Sequence, residues 1–129
     1  TSITLCNIPH IPDTAIYALA RHSLRLQGVE LNGLLISDAA VEAITRSSNL
    51  LNFISLSGCT NITDTSLCSI GTHCILLIDG SIEGTRITLE GLHHLKSCKD
   101  LGFVSVSATV GSAEDLQLML GKEVSIARK

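Results

Sequence analysis

Residues 48–73 read SNLLNFISLSGCTNITDTSLCSIGTH, and this stretch decides the fold. Counted from Ser48, apolar side chains fall at Leu51, Ile54, Leu56, Cys59 and Ile62, with offsets of three, six, eight, eleven and fourteen. Ile54 and Leu56 alternate with polar neighbours, which is the period of a strand. Beyond Asp64 the period changes: Leu67 and Ile70 stand three apart, as on one face of a helix. A strand, a turn and a helix in so few residues cannot bury their own apolar faces. Such a unit must stack on copies of itself.

Working outward, the copies are there. From Ser23 the same offsets give Leu26, Val29, Leu31 and Leu34, and from Cys98 they give Leu101, Val104 and Val106. From Cys74 they give Leu77, Gly80 and Ile82, the weakest match. The start of the chain supplies the tail of another unit in Ile3, Leu5, Ile8 and Ile11, so origins recur 25, 26 and 24 residues apart. Each unit has its helical pair: Ile16 and Leu19, Val41 and Ile44, Leu67 and Ile70, Leu92 and Leu95, Leu116 and Met119. Asp13, Asp38 and Asp64 stand just ahead of three of these runs, where an N-cap is expected. Gly33, Gly58 and Gly84 share one slot, with Asn7 and Ala108 in the flanking units, and predict a tight turn with positive φ. The expectation is one α/β domain over residues 1–129. It is a right-handed solenoid of about five strand-plus-helix units, spanning about 1–22, 23–47, 48–73, 74–97 and 98–121. A parallel sheet would form the concave face and helices the convex one. Ile3, Leu5 and Ile8 would leave an open strand edge, so the natural chain is expected to continue before Thr1 or to be covered there by another subunit.

The pattern Leu51-x-x-Ile54-x-Leu56-x-x-Cys59-x-x-Ile62-Thr63-Asp64, followed by Leu67 and Ile70, resembles the cysteine-containing leucine-rich repeat. Cys74 and Cys98 stand where that family often opens a unit. The inner Cys/Asn slot is filled by Cys59, against Ile8, Leu34, Thr85 and Thr109 elsewhere. The resemblance implies a leucine-rich-repeat solenoid of the kind that forms the receptor arm of F-box proteins, with similar repeats in ciliary-axoneme and mitochondrial complex subunits. No F-box segment lies within these residues.

Composition excludes several functions. Nine Lys plus Arg against twelve Asp plus Glu give a net charge of −3, which argues against nucleic acid, where binding gains from counterion release by a basic stripe. The longest charge-free stretch, Ser47 to Thr63, carries six Ser/Thr, three Asn and a Gly, so no membrane span is expected. Five cysteines without a C-x-x-C pair read as reduced, buried thiols, which points to a cytoplasmic (including cytoskeletal or ciliary) or mitochondrial setting. Cys59 should point inward, inert in apolar surroundings, with a backbone partner for its thiol in the adjoining turn. His22 and His73 recur together at helix ends, where the helix dipole accounts for them, so no metal site is expected. No G-x-S-x-G elbow or phosphate loop is present, so no catalytic residue, cofactor or small-molecule substrate is assigned.

The strand face carries the functional reading. With offsets six and eight inward, offsets five, seven and nine point outward. They give Ser2, Thr4 and Cys6; Gly28, Glu30 and Asn32; Phe53, Ser55 and Ser57; Asp79, Ser81 and Glu83; Phe103, Ser105 and Ser107. Both phenylalanines of the chain fall on this set at the same offset. Either a neighbouring turn or a shifted register shields Phe53 and Phe103, or they anchor a partner, with Glu30, Asp79 and Glu83 selecting a basic segment. The function expected is therefore a non-enzymatic protein–protein interaction scaffold, a subunit or adaptor of a larger assembly such as an axonemal or organellar complex. The alternatives are the substrate-recognition arm of an F-box-type ubiquitin ligase and, last, an enzyme.

Overall fold

A computed structural model describes residues 2–8, 10–22, 25–122 and 124–129. Ser23, the origin assigned to the second unit, lies outside the described residues. The strands are β1 (Ser2–Thr4), β2 (Gly28–Glu30), β3 (Phe53–Ser55), β4 (Asp79–Ser81), β5 (Phe103–Val106) and β6 (Ser125–Arg128). They pair in chain order into one parallel sheet. Between them run α1 (Asp13–His22), α2 (Asp38–Ser47), α3 (Asp64–His73), a 3-10 helix (Glu90–Ser97) and α4 (Ala113–Leu120), each packed on the next.

The register is the one the offsets require. Ser2, Gly28, Phe53, Asp79 and Phe103 form one row across five strands, and Ile3, Val29, Ile54, Gly80 and Val104 the row beside it. Val29, Ile54 and Val104 are buried, as are Leu31, Leu56, Ile82 and Val106 two residues on. Gly80 leaves a gap in the inward row, and Leu77 Cδ2 stands 3.8 Å from where a Cβ would be. Against these rows pack Ile16, Val41, Ile44, Leu67, Ile70, Leu92, Leu95 and Leu116 from the helices, in one continuous core.

Four expectations need correction. The sixth strand was not foreseen. Val124 is buried and Ile126 pairs with Val104, but no helical period follows, so the unit signature is incomplete there. The fourth unit closes with a 3-10 helix and not an α-helix. Eight residues at about 2.0 Å of rise cover nearly the same length as ten at about 1.5 Å, which fits the shortest spacing between origins. Ala108 does not take the positive φ of Asn7, Gly33, Gly58 and Gly84, because a Cβ makes that conformation costly.

The aspartates, finally, are not N-caps. Ser37 and Thr63 occupy the cap positions of α2 and α3, and each aspartate is the first helical residue, Asp13 and Asp38 reaching to the cap of the following helix and Asp64 to Thr88, one residue ahead of the Leu89 cap of the 3-10 helix. Asp38 accepts from Thr63 N at 2.9 Å, from Thr63 Oγ1 at 2.6 Å and from Ser66 Oγ at 2.6 Å. Asp13 accepts from Ser37 N and Oγ in the same way, and Asp64 from Thr88 N and Oγ1. One carboxylate thus ties the start of each of α1, α2 and α3 to the next unit.

Candidate functional site

The outward sheet face is built from three rows. In the first, Phe53 is half-buried, its ring edge 3.6 Å from where a Cβ on Gly28 would sit. Neighbouring strands thus shield Phe53 in part, because a glycine opposite it leaves room for the ring to lie down. Phe103, two strands along, is 36 % exposed, and Asp79 stands on β4 between the two. No described residue donates a hydrogen bond to the Asp79 carboxylate.

The middle and third rows form a polar network. Glu30 accepts from Asn32 Nδ2 at 3.0 Å and from Thr4 Oγ1 at 3.5 Å. Asn32 Oδ1 in turn accepts from Ser55 Oγ at 2.6 Å and from Ser57 N at 3.1 Å. Asn32 is the hub that locks the Glu30 carboxylate. The sequence reading placed Asn32 on the outward set without assigning it a role; an amide among hydroxyls at offset nine was the available signal.

Glu83 is held differently. Its Oε2 is buried and completes no hydrogen bond, and Ser105 Oγ, on the adjoining strand, is equally buried and unpaired. Burial alone would raise the Glu83 carboxyl. The hydroxyl dipoles of Ser105 and Ser57, its own backbone N–H and the charge of Lys129 outweigh burial and hold it below the usual range. It stays anionic. Ser55 and Ser105 face outward but are almost fully buried, since taller side chains on either side close over the middle row. The five expected residues do share one face. Glu30 is fixed in its middle row and Glu83 stands in its third, while Asp79 and the two phenylalanines line its first row.

The residues missed lie at the turns leading into the strands. Leu50, Ile75, Leu76 and Ile78 are exposed, Ile78 by 51 %. Ile78 is hydrogen-bonded through its backbone to Asn52 and Gly102, one residue ahead of the phenylalanine row. These side chains give the face an apolar rim. Their positions fall between the periodic offsets, so periodicity did not mark them.

The cysteines are placed by the same stacking. Cys59 Sγ donates to the carbonyl of Leu31 at 2.8 Å, a backbone group of the preceding unit. Cys98 Sγ donates to the Cys74 carbonyl at 3.4 Å, and Cys74 Sγ lies 4.0 Å from the Ser48 carbonyl. Burial raises all three thiols, that of Cys74 to about 12. Among the described residues no three His, Cys, Asp or Glu side chains converge as a metal site would require. No helix among them is long and apolar enough to cross a membrane.

Compared with protein-family models and with curated proteins, the chain matches none.

Proposed function

We propose that this chain is a right-handed leucine-rich-repeat module, a non-enzymatic scaffold or adaptor whose sheet face binds a protein segment bearing basic side chains. One observation carries the reading. Phe53, Asp79 and Phe103 share a row, and Glu30 and Glu83 stand on the same face, the Glu30 carboxylate oriented by Asn32 and that of Glu83 kept in its charged form. Aromatic anchors beside carboxylates, that of Glu30 already oriented, suit an apolar segment carrying Lys or Arg, because less ordering remains to be done on binding. Six strands at about 4.8 Å make a face about 24 Å across, enough for one helix or an extended peptide. Buried, protonated thiols in contact with carbonyls suit a reducing compartment, and the cytoplasm (including the cytoskeleton or cilium) or the mitochondrion is proposed.

The test begins with affinity purification of the protein and mass spectrometry of what accompanies it. Phe53→Ala with Phe103→Ala should weaken capture of that partner tenfold or more with an unchanged circular dichroism spectrum. Unchanged capture by the double variant would refute the sheet-face reading.

A further inference from the structure

On the helical side, a groove of about 580 Å³ opens between α1 and α2, lined by Tyr17, Ala20, Arg21, Ala43, Arg46 and Ser47. It is a groove because alanines occupy its floor where larger side chains would fill it. Arg21 and Arg46 both stand eight residues after the aspartate that opens their helix, so two guanidinium groups flank the apolar floor at one level. Arg46 is paired with Glu42 at 3.1 Å, but the arginine is exposed and the glutamate only half-buried, so that pair competes weakly with a better partner. Arg21 has no acidic partner among the described residues. The groove is cationic at its rim and apolar at its base.

The opposite end of the helical layer carries the complement. Leu118 on α4 is 75 % exposed, more than any other exposed large apolar side chain among the described residues. Glu114 and Asp115, both exposed, precede it by four and three residues, which puts both carboxylates on its face of the helix. Lys122, one turn on, does not oppose them, because its ammonium is directed inward to the carbonyl of Cys98. We propose that the α1–α2 groove receives this α4 face from a second copy of the chain. Leu118 fills the apolar floor, and Glu114 and Asp115 meet Arg21 and Arg46. Within one molecule the two surfaces cannot meet, since α3 and the 3-10 helix stand between α2 and α4 in a row packed neighbour to neighbour. The contact is therefore head to tail, and in a pair it leaves one copy with a free groove and the other with a free α4, so further copies can add. An eight-residue helix in a groove falls well short of the roughly 800 Å² per partner of stable interfaces, so association is weak and concentration-dependent.

The test uses two variants of the 129-residue chain: Arg21→Glu with Arg46→Glu, which inverts the groove, and Leu118→Glu, which removes the apolar contact. All these side chains are exposed, so the fold should persist, checked by circular dichroism. In sedimentation velocity from micromolar to millimolar concentration the unaltered chain should associate, less so as salt rises from about 50 to about 500 mM. Each variant alone should remain monomeric, with at least a tenfold loss of association. A mixture should form a one-to-one dimer that grows no further, since one copy keeps its groove and the other its α4. Tyr17 is the only tyrosine and there is no tryptophan, so emission should change when the Leu118→Glu chain receives the groove variant. A chain monomeric at millimolar concentration would overturn the proposal. So would a variant that associates as the unaltered chain does, or a mixture that stays monomeric.

Discussion

Cys59 shows how much one side chain can do in a stacked fold. It fills apolar space at zero exposure and its thiol satisfies the Leu31 carbonyl of the unit before it. Cys59→Ser retains a donor but loses packing and adds polarity, and should cost about 1–2 kcal/mol in urea denaturation. Cys59→Arg should prevent stable folding, because a buried guanidinium there would have no partner. In the native protein a thiol reagent should modify exposed Cys68 first and half-buried Cys6 next. Cys59, Cys74 and Cys98 should stay protected until denaturant is added, as peptide mass spectrometry would show. Inward placement of Cys59 was legible because it stands at the strand-exit slot that Leu34 fills one unit earlier. Its partner was not legible, because a hydrogen bond to a carbonyl 28 residues earlier leaves no trace in local sequence. Ser105 makes the same point from the outer face. Alternation gave its direction, whereas its burial depends on how tall the side chains in the adjacent rows stand.

Between elements, the aspartates decide how units join. A carboxylate just ahead of an apolar helical run has the signature of an N-cap whichever unit it bonds, so Asp13, Asp38 and Asp64 were misassigned from sequence. Burial would raise the Asp38 carboxyl, but donors from Ser66 and Thr63 outweigh it and the group is held below its ordinary value. The sign follows: the folded form binds the proton less tightly than the unfolded chain does. The contribution is complete above the unfolded value of about 3.9 and is lost as pH falls through the lower folded value. Glu83 adds a contribution of the same sign. Melting temperature should therefore fall as pH drops below about 4, and Asp38→Ala should flatten that fall while costing about 2 kcal/mol at neutral pH. The α3 contact with the 3-10 helix is closer still. A Cβ on Gly71 would lie 2.0 Å from the His94 carbonyl oxygen, and Ser97 Oγ donates to the Gly71 carbonyl at 2.5 Å. Gly71→Ala must push two backbones apart, and a loss of about 2–3 kcal/mol in chemical denaturation is expected.

Across the whole molecule, stability is spread along the row of units. Each strand bonds only its neighbours in sequence, and each helix packs on those beside it. Recurrence made this architecture readable: Leu51, Ile54 and Leu56 have counterparts one unit earlier and two units later, and the sheet register follows them. β6 escaped because recurrence needs a complete unit to be recognised, and Ile126 has no helix after it. The apolar rim at Leu50, Ile75, Leu76 and Ile78 escaped for the related reason that it occurs in two units only. The shortened fourth unit has a further consequence. The 3-10 segment spends its residues at a steeper rise, and β4 and β5 still meet in register. Repeat length here is thus not a fixed quantum. The helical layer works as a gear, in which a unit can shed residues by changing pitch while the distance it must cross stays the same. Insertions and deletions on that side are absorbed within the unit where they occur, and the alignment of Phe53, Asp79 and Phe103 on the other side is insulated from them.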